Sequence, residues 1–315
     1  MSGARPAPAP GLTRPRRLVR GDRIGVVAPS GPVSREQLKA GLDILRGWGL
    51  EPVVAPHVLA EHPARYLAGG DRERAADLLA AWCDPTLAAV LCARGGYGAQ
   101  RMVDLVDWAA MRAAPPKAFI GYSDITALHE AFATRLGVAT LHGPMAATET
   151  FCVDGPTQDH LRRTLFTPER ELTLAPPSAR TLLPGRAEGV TLGGCASLLA
   201  AGLGTPDARR SAAGGILLLE DVGEEAYRLD RVLTQLLRSG WLDGVAGVVL
   251  GSWEDCGPYE EIRALALDRF GGLGVPVVEE FGFGHCSSAL TMPLGVPAVL
   301  NADAATLTLK VPALT

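Results

Sequence analysis

The sequence predicts an α/β fold built on a mostly parallel sheet covered by helices. Short apolar runs alternate with amphipathic helical patterns from residue 22 onward, and that alternation is the signature of strands joined by crossover helices. The length of 315 residues adds a second expectation of about two domains, since single cores stop growing near ~250–300 residues.

Each element follows from local chemistry. Residues 24–28 form an apolar strand closed by Pro29-Ser30-Gly31-Pro32. Ser34 is placed to cap a helix, with Gln37 completing a capping box, and Leu38, Leu42 and Leu45 share one helical face until Gly47 and Gly49. Strands are expected at 52–55, 87–92, 118–120 and 138–141, and helices at 72–82, 99–110 and 124–136. The stretch 144–186 breaks the rhythm with Pro144, Pro156, Pro168, Pro176, Pro177 and Pro184, around one short helix at 158–165. Beyond it, strands are expected at 189–192, 215–219, 245–250, 275–278, 298–300 and 307–311, with helices at 197–203, 227–237 and 259–270. Leu229, Val232, Leu233, Leu236 and Leu237 form a core-packing stripe. The division is therefore a flexible Pro/Ala/Arg tail over 1–18, an N-terminal domain over 19–143, a Pro-rich connection over 144–186 and a C-terminal domain over 187–315.

Composition narrows the function. Hydrophobic residues make 47% and charged residues 20% of the chain, an ordinary globular balance. Thirty bases against 34 acids leave no basic footprint, so nucleic acid is not an expected partner. The six cysteines, at 83, 92, 152, 195, 256 and 286, form no CxxC and no zinc-ligand spacing, so no metal or cofactor is expected. They read as reduced thiols of a cytoplasmic protein. No run approaches ~18 apolar residues, so no membrane span is expected, and the N-terminus has no apolar signal core.

Four motifs can carry chemistry. Phe119-Ile120-Gly121-Tyr122-Ser123-Asp124 is a strand, a glycine turn and a serine at the mouth of a helix. Ser123 there is either a helix cap or a nucleophile on a sharp turn, with the Asp124 N–H facing a developing oxyanion. Arg94-Gly95-Gly96-Tyr97-Gly98 follows a strand. It reads as a plain turn or as a cradle of N–H groups for an anion. It lacks the Lys-Ser/Thr of a phosphate loop. Arg94 either braces this loop or binds a substrate carboxylate. Leu219-Glu220-Asp221 ends a buried-type strand, where an acid can orient an imidazole. Phe283-Gly284-His285-Cys286 puts one of six histidines in a glycine-flanked loop. His142, before Gly143-Pro144, can line the same cleft. Ser123, Glu220 and His285 thus run in the order serine, acid, histidine seen in α/β-hydrolases.

In combination these motifs resemble the LD-carboxypeptidase family of serine peptidases over nearly all of the chain from about residue 19. The carriers are Gly25-Val26-Val27-Ala28-Pro29-Ser30, Arg94-Gly95-Gly96-Tyr97-Gly98, Gly121-Tyr122-Ser123-Asp124, His142-Gly143-Pro144, Leu192-Gly193-Gly194, Leu219-Glu220-Asp221, Tyr227-Arg228-Leu229-Asp230-Arg231, Gly284-His285 and Pro293-Leu294-Gly295. The resemblance implies a flavodoxin-like N-terminal parallel sheet, a smaller C-terminal β/α domain and an active site at their interface. It implies Ser123 as nucleophile, Glu220 as acid, His285 as base, and the N–H groups of Asp124 and Gly96 as oxyanion hole. Gly95, Arg94, Tyr97 and Tyr122 lie in the same motifs as candidate substrate contacts. It further implies a cytoplasmic homodimer without metal that releases terminal D-Ala from a murein tetrapeptide in cell-wall recycling. Cys195 stands where the family commonly has Asn, and Cys286 follows His285; both bear on specificity more than on the triad. A self-immunity peptidase of the same family, cleaving microcin-type peptidyl or acyl-sulfamoyl adenylates, is the alternative. The only aromatics of 144–186 are Phe151 and Phe166, which leaves little there to stack on a nucleobase. A non-catalytic α/β ligand-binding module is the reading from another class.

Overall fold

The chain runs β1 (Arg23–Val27), α1 (Arg35–Gly47), β2 (Glu51–Val54), α2 (Asp71–Cys83), β3 (Leu87–Cys92), α3 (Ala99–Met102), α4 (Trp108–Ala113), β4 (Ala118–Gly121), α5 (Thr126–Ala131) and β5 (Thr140–His142) in a computed structural model that describes residues 11–315. It continues through α6 (Glu149–Val153), α7 (Gly155–Phe166), β6 (Thr173–Leu174), β7 (Arg180–Leu183), β8 (Arg186–Cys195), α8 (Ala196–Gly202), β9 (Gly215–Val222) and α9 (Ala226–Arg238). The last elements are β10 (Gly247–Glu254), α10 (Tyr259–Phe270), β11 (Val277–Glu279), β12 (Met292–Leu294), β13 (Pro297–Asn301) and β14 (Thr306–Leu309).

Two sheets organise them. The first has the order β12-β5-β4-β3-β1-β2, with β1 to β5 parallel. Its β2-β1-β3-β4-β5 portion is the flavodoxin-like order, in which ligands bind beyond the carboxyl ends of the strands. All six residues of β3 are buried, as a central parallel strand requires. Successive residues of β1 face opposite layers: Ile24 and Val26 pack with α1, α6 and α7, while Val27 packs with α2 and α5. The second sheet has the order β6-β14-β13-β8-β9-β10-β11-β7. Its middle, β8 to β11, is parallel and its flanks are antiparallel.

The halves are interlocked. β12, from the C-terminal half, pairs antiparallel with β5 and sets Met292 opposite His142. The 144–186 segment serves both sheets: Phe151, Leu161 and Leu165 of α6 and α7 pack on the first, whereas β6 and β7 close the two edges of the second. Part of its proline density marks starts, since Pro156 sits in the first turn of α7, where a missing N–H costs nothing.

Several expectations need correction. Residues 1–10 of the expected tail lie outside the described residues, but Gly11 to Leu18 is packed. Leu12 N–H donates to Gly295 O (2.8 Å), Arg17 N–H donates to Thr315 O (2.7 Å) and Leu18 is buried. The helix expected over 99–110 is broken into α3, a 3₁₀ turn and α4. The cause is Asp107, whose side chain caps a new start by accepting the N–H groups of Ala109 and Ala110. The helix expected over 124–136 begins as a 3₁₀ turn at Ser123 and ends in a π turn. At α1, Ser34 Oγ accepts the Gln37 N–H (3.3 Å) while its own proton goes to Glu36.

Candidate active site

β4 ends at Gly121, and two residues later Ser123 adopts φ +64°. A non-glycine residue in this left-handed region costs about 1–3 kcal/mol and persists only where the surroundings enforce it. The enforcement is visible. Asp124 is buried and accepts hydrogen bonds from Ser30 Oγ (2.6 Å) and the Ala99 N–H (2.8 Å). It thereby ties the Ser123 turn to the loop after β1 and to the start of α3. Burial raises the Asp124 pKa, and those two hydrogen bonds only partly oppose it. The fully buried guanidinium of Arg74 donates to Pro29 O and to Gly98 O (2.8 Å), clamping the same two loops together.

The glycine loop lies against the serine. A Cβ on Gly95 would stand 3.2 Å from Ser123 Oγ, so only glycine leaves that hydroxyl open space. Gly31 N–H donates to Gly95 O (2.9 Å), and Gly96 is exposed at φ +108°. Arg94 is exposed and spends a donor on Pro32 O (2.8 Å), which is the bracing alternative. Tyr97 is half-exposed and packs edge-on to Tyr66, with ring centroids 5.6 Å apart.

The acid and the imidazole come from the second sheet. Glu220, on β9, has no exposed surface. Its Oε2 lies 2.7 Å from His285 Nδ1 and accepts the His285 N–H at 3.3 Å. Gly284 is at φ +94°, and a Cβ there would collide with the carboxylate, 2.6 Å from Glu220 Cγ. Burial by itself would raise the Glu220 pKa; the two imidazoles beside it, His285 and the nearby His142, outweigh it and hold the carboxyl down at about 2. Burial likewise opposes the charge on His285, yet the Glu220 carboxylate prevails and raises its pKa. The ring of Tyr122, next to Ser123 in sequence, lies 4.7 Å from the His285 ring. Thus the structure brings the Ser123 turn and the Glu220–His285 pair to one place, with His285 Nε2 bonded to none of the described residues. A cavity of about 310 Å³ opens beside Cys286, lined by Ser252, Glu254, Tyr259, Arg263 and Glu280.

The two halves also lock at the site. Cys195 N–H donates to Thr126 Oγ1 (3.0 Å), three residues after Ser123. Gly193 and Gly194 sit at φ +131° and +141°, and backbone of β9 and the Thr126 side chain leave no room there for a Cβ. The thiol of Cys195 is directed at Asp221 Oδ1 (3.1 Å).

Family models describing the N-terminal and C-terminal domains of LD-carboxypeptidases match residues 24–143 and 188–300. The chain belongs to the LD-carboxypeptidase family. It is accordingly a serine carboxypeptidase, a hydrolase. A Streptomyces coelicolor protein whose name assigns it to the carboxypeptidases is 68% identical over 304 residues, covering 96% of this chain and 98% of that one. The murein tetrapeptide carboxypeptidase of Pseudomonas aeruginosa is 35% identical over 301 residues, covering 89% of this chain and 94% of that enzyme. Among solved structures, a microcin C7 self-immunity protein in complex with aspartyl sulfamoyl adenosine superposes with a TM-score of 0.85 at 22% identity, covering 96% of this chain and all of that one. That likeness speaks to the fold, the two-domain α/β architecture.

Three contributors to this LD-carboxypeptidase site escape the sequence reading or go unassigned in it, Ser30, Arg74 and Thr126, and a fourth, His142, was expected only to line the cleft. Arg74 sits within a helix pattern where nothing distinguishes it from a surface arginine, and Thr126 reads as ordinary helix. Ser30 and His142 lie in the recognised motifs, and their position after strands was the available signal. No helix among the described residues is long and apolar enough to cross a membrane.

Proposed function

We propose that this LD-carboxypeptidase releases terminal D-Ala from a murein tetrapeptide through a Ser123–His285–Glu220 triad and an acyl-enzyme. The observation that carries the proposal is the buried Glu220 carboxylate on His285 Nδ1 at 2.7 Å, beside a serine held at φ +64°. In the proposed reaction His285 Nε2 takes the Ser123 proton as Oγ attacks the carbonyl between the L-centre of diaminopimelate and D-Ala. The N–H groups of Asp124 and Gly96 receive the oxyanion. As the intermediate collapses, His285 hands its proton to the amine and D-Ala leaves. Water, deprotonated by His285, then cleaves the Ser123 ester and frees the tripeptide. Glu220 stays ionised throughout and stabilises the imidazolium. A raised His285 pKa fits this role, since the charge formed in the transition state is the one the site favours.

The self-immunity reading calls for a platform that stacks a nucleobase. Phe151 is fully buried against Trp48 and Phe166 packs on the same core, so neither aromatic of 144–186 is free for that purpose. This supports the wall peptide as substrate, and the proposal extends to a place in cell-wall recycling, to the cytoplasm and to a homodimer. The test is D-Ala release from purified tetrapeptide by wild type and by Ser123→Ala. Loss of about 10⁴-fold or more is expected on removing the nucleophile; equal activity overturns the triad. Faster turnover of a peptidyl-adenylate than of tetrapeptide overturns the substrate assignment.

A further inference from the structure

Oε1 of Glu220 is the unexplained atom of this site. Oε2 serves His285, whereas Oε1 is fully buried and has no hydrogen-bond partner within 3.5 Å of good geometry. A buried carboxylate oxygen without a donor is costly. His142 Nε2 lies 3.5 Å away, and its ring is as buried as the carboxylate, with 1% and no side-chain exposure respectively. Both ring nitrogens of His142 also lack closer partners among the described residues. The two unsatisfied groups face each other.

We propose that His142 is a positioning residue of the triad, its Nε2–H holding Oε1 of Glu220 so that Oε2 stays aligned on Nδ1 of His285. This rests on the triad reading given above and extends it to a fourth side chain. Glu220 is then bracketed between two imidazoles, an outer one that moves the proton and an inner one that does not.

The surroundings of His142 favour that division. The void beside its ring, bounded by Tyr122, Gly143, Thr150, Gly284 and Leu290, has a volume of about 10 Å³, at the lower limit for one water molecule. No substrate group can enter it, so a substrate-binding role is closed to His142. Its backbone is fixed from both sides: β5 pairs with β4 at Gly121 and with β12 at Met292. Phe283 and Tyr122 cover its ring edge-on at 5.8 Å and 5.9 Å. The titratable groups facing it are Glu220 on β9, Tyr122 after β4 and His129 on α5, whose ring lies 6.2 Å away. His129 donates Nε2–H to Gly121 O (2.8 Å), and burial holds its pKa down at about 3, so it brings no charge. Beyond Glu220 stand His285, Asp221, Cys195 and Cys286.

The test compares His142→Leu, which removes the donor, with His142→Gln, which restores one, by D-Ala release from tetrapeptide across pH. His142→Leu is expected to lower kcat roughly tenfold to a hundredfold with KM little changed, because a misplacement of ~1 Å costs about 10²-fold. Its acid limb in kcat/KM is expected to move to higher pH. Without the inner donor the Glu220 carboxylate protonates more readily, so the Glu220–His285 pair accepts its first proton earlier. His142→Gln is expected to recover most of kcat and the wild-type limb. Wild-type kcat and pH profile in His142→Leu overturn the proposal. So does an equal kcat loss in both variants with the limb unmoved, which marks a merely structural side chain. If His142→Leu does not fold, His142→Ala takes its place beside His142→Gln: a kcat loss and shifted limb in the alanine variant that the glutamine variant recovers supports the role, and equal behaviour of the two overturns it. Ser123→Ala in the same assay separates the two readings, since full activity there removes the triad itself whatever His142 does.

Discussion

β4 and β9 both run into the site, and they equip it by different means. β4 and its neighbours β1 and β3 deliver backbone geometry: a serine at φ +64°, a glycine loop at φ +108°, and buried Asp124 and Arg74 that clamp the loops. β9 and the loop after β11 deliver charge: a carboxylate with no exposed surface held on an imidazole at 2.7 Å. The first half stores conformational strain and the second stores electrostatic free energy. Changes in the first should therefore register mainly in folding and in rate together. Changes in the second should register in rate and pH dependence while the fold survives.

The sharpest break of this contrast is Glu220→Gln. It removes the charge while keeping shape, and a drop of about 10³–10⁴ in kcat is expected from loss of imidazole orientation and imidazolium stabilisation. The sign of the accompanying pH effect is fixed. Glu220 raises the His285 pKa, and the acid limb of kcat/KM reports protonation of that base. Without the carboxylate the limb must move to lower pH. A limb that stays in place would detach the acid from His285. Gly194→Ala comes next and probes the seam between the halves. It places a Cβ against Thr126 at φ +141°, so about 1–3 kcal/mol of stability should be lost, read by urea unfolding, with kcat falling because Thr126 follows the nucleophile turn. Unchanged stability would show that the halves are not locked there. Smallest is Ser30→Ala, which deletes one hydrogen bond to Asp124 and should cost about 1 kcal/mol. A pH limb that moved with it would blur the contrast, since Ser30 belongs to the geometric half.

Most of the architecture was readable because it is written locally. Alternating apolar strands and helical stripes act over a few residues, and the flavodoxin-like order of β1 to β5 was what the family resemblance implied. What escaped was short or paired at long range. β12 is three residues with Pro293 at its centre, too brief for any periodicity, and it exists as a strand only because β5 offers an edge. Leu12, Thr13 and Leu18 looked like tail because nothing local shows that residues 295, 138 and 165 await them. At the site, Ser123, Glu220 and His285 each stand in a recognisable turn or strand end. His142 ends an apolar strand like any other, and its relation to Glu220 appears only when β5 of one sheet is set against β9 of the other.

The sequence by itself pointed to most of the elements, to two halves, to the family and to the three side chains proposed here as a triad. It could do so because strand period, turn chemistry and glycine requirements are properties of neighbouring residues. The tertiary structure alone decided which side chains become buried together: Arg74 under two loops, Thr126 on Cys195, and His142 on the inner oxygen of Glu220. Those pairings join residues far apart in the chain, and their energetics come from desolvation, which no single segment experiences until the sheets have packed.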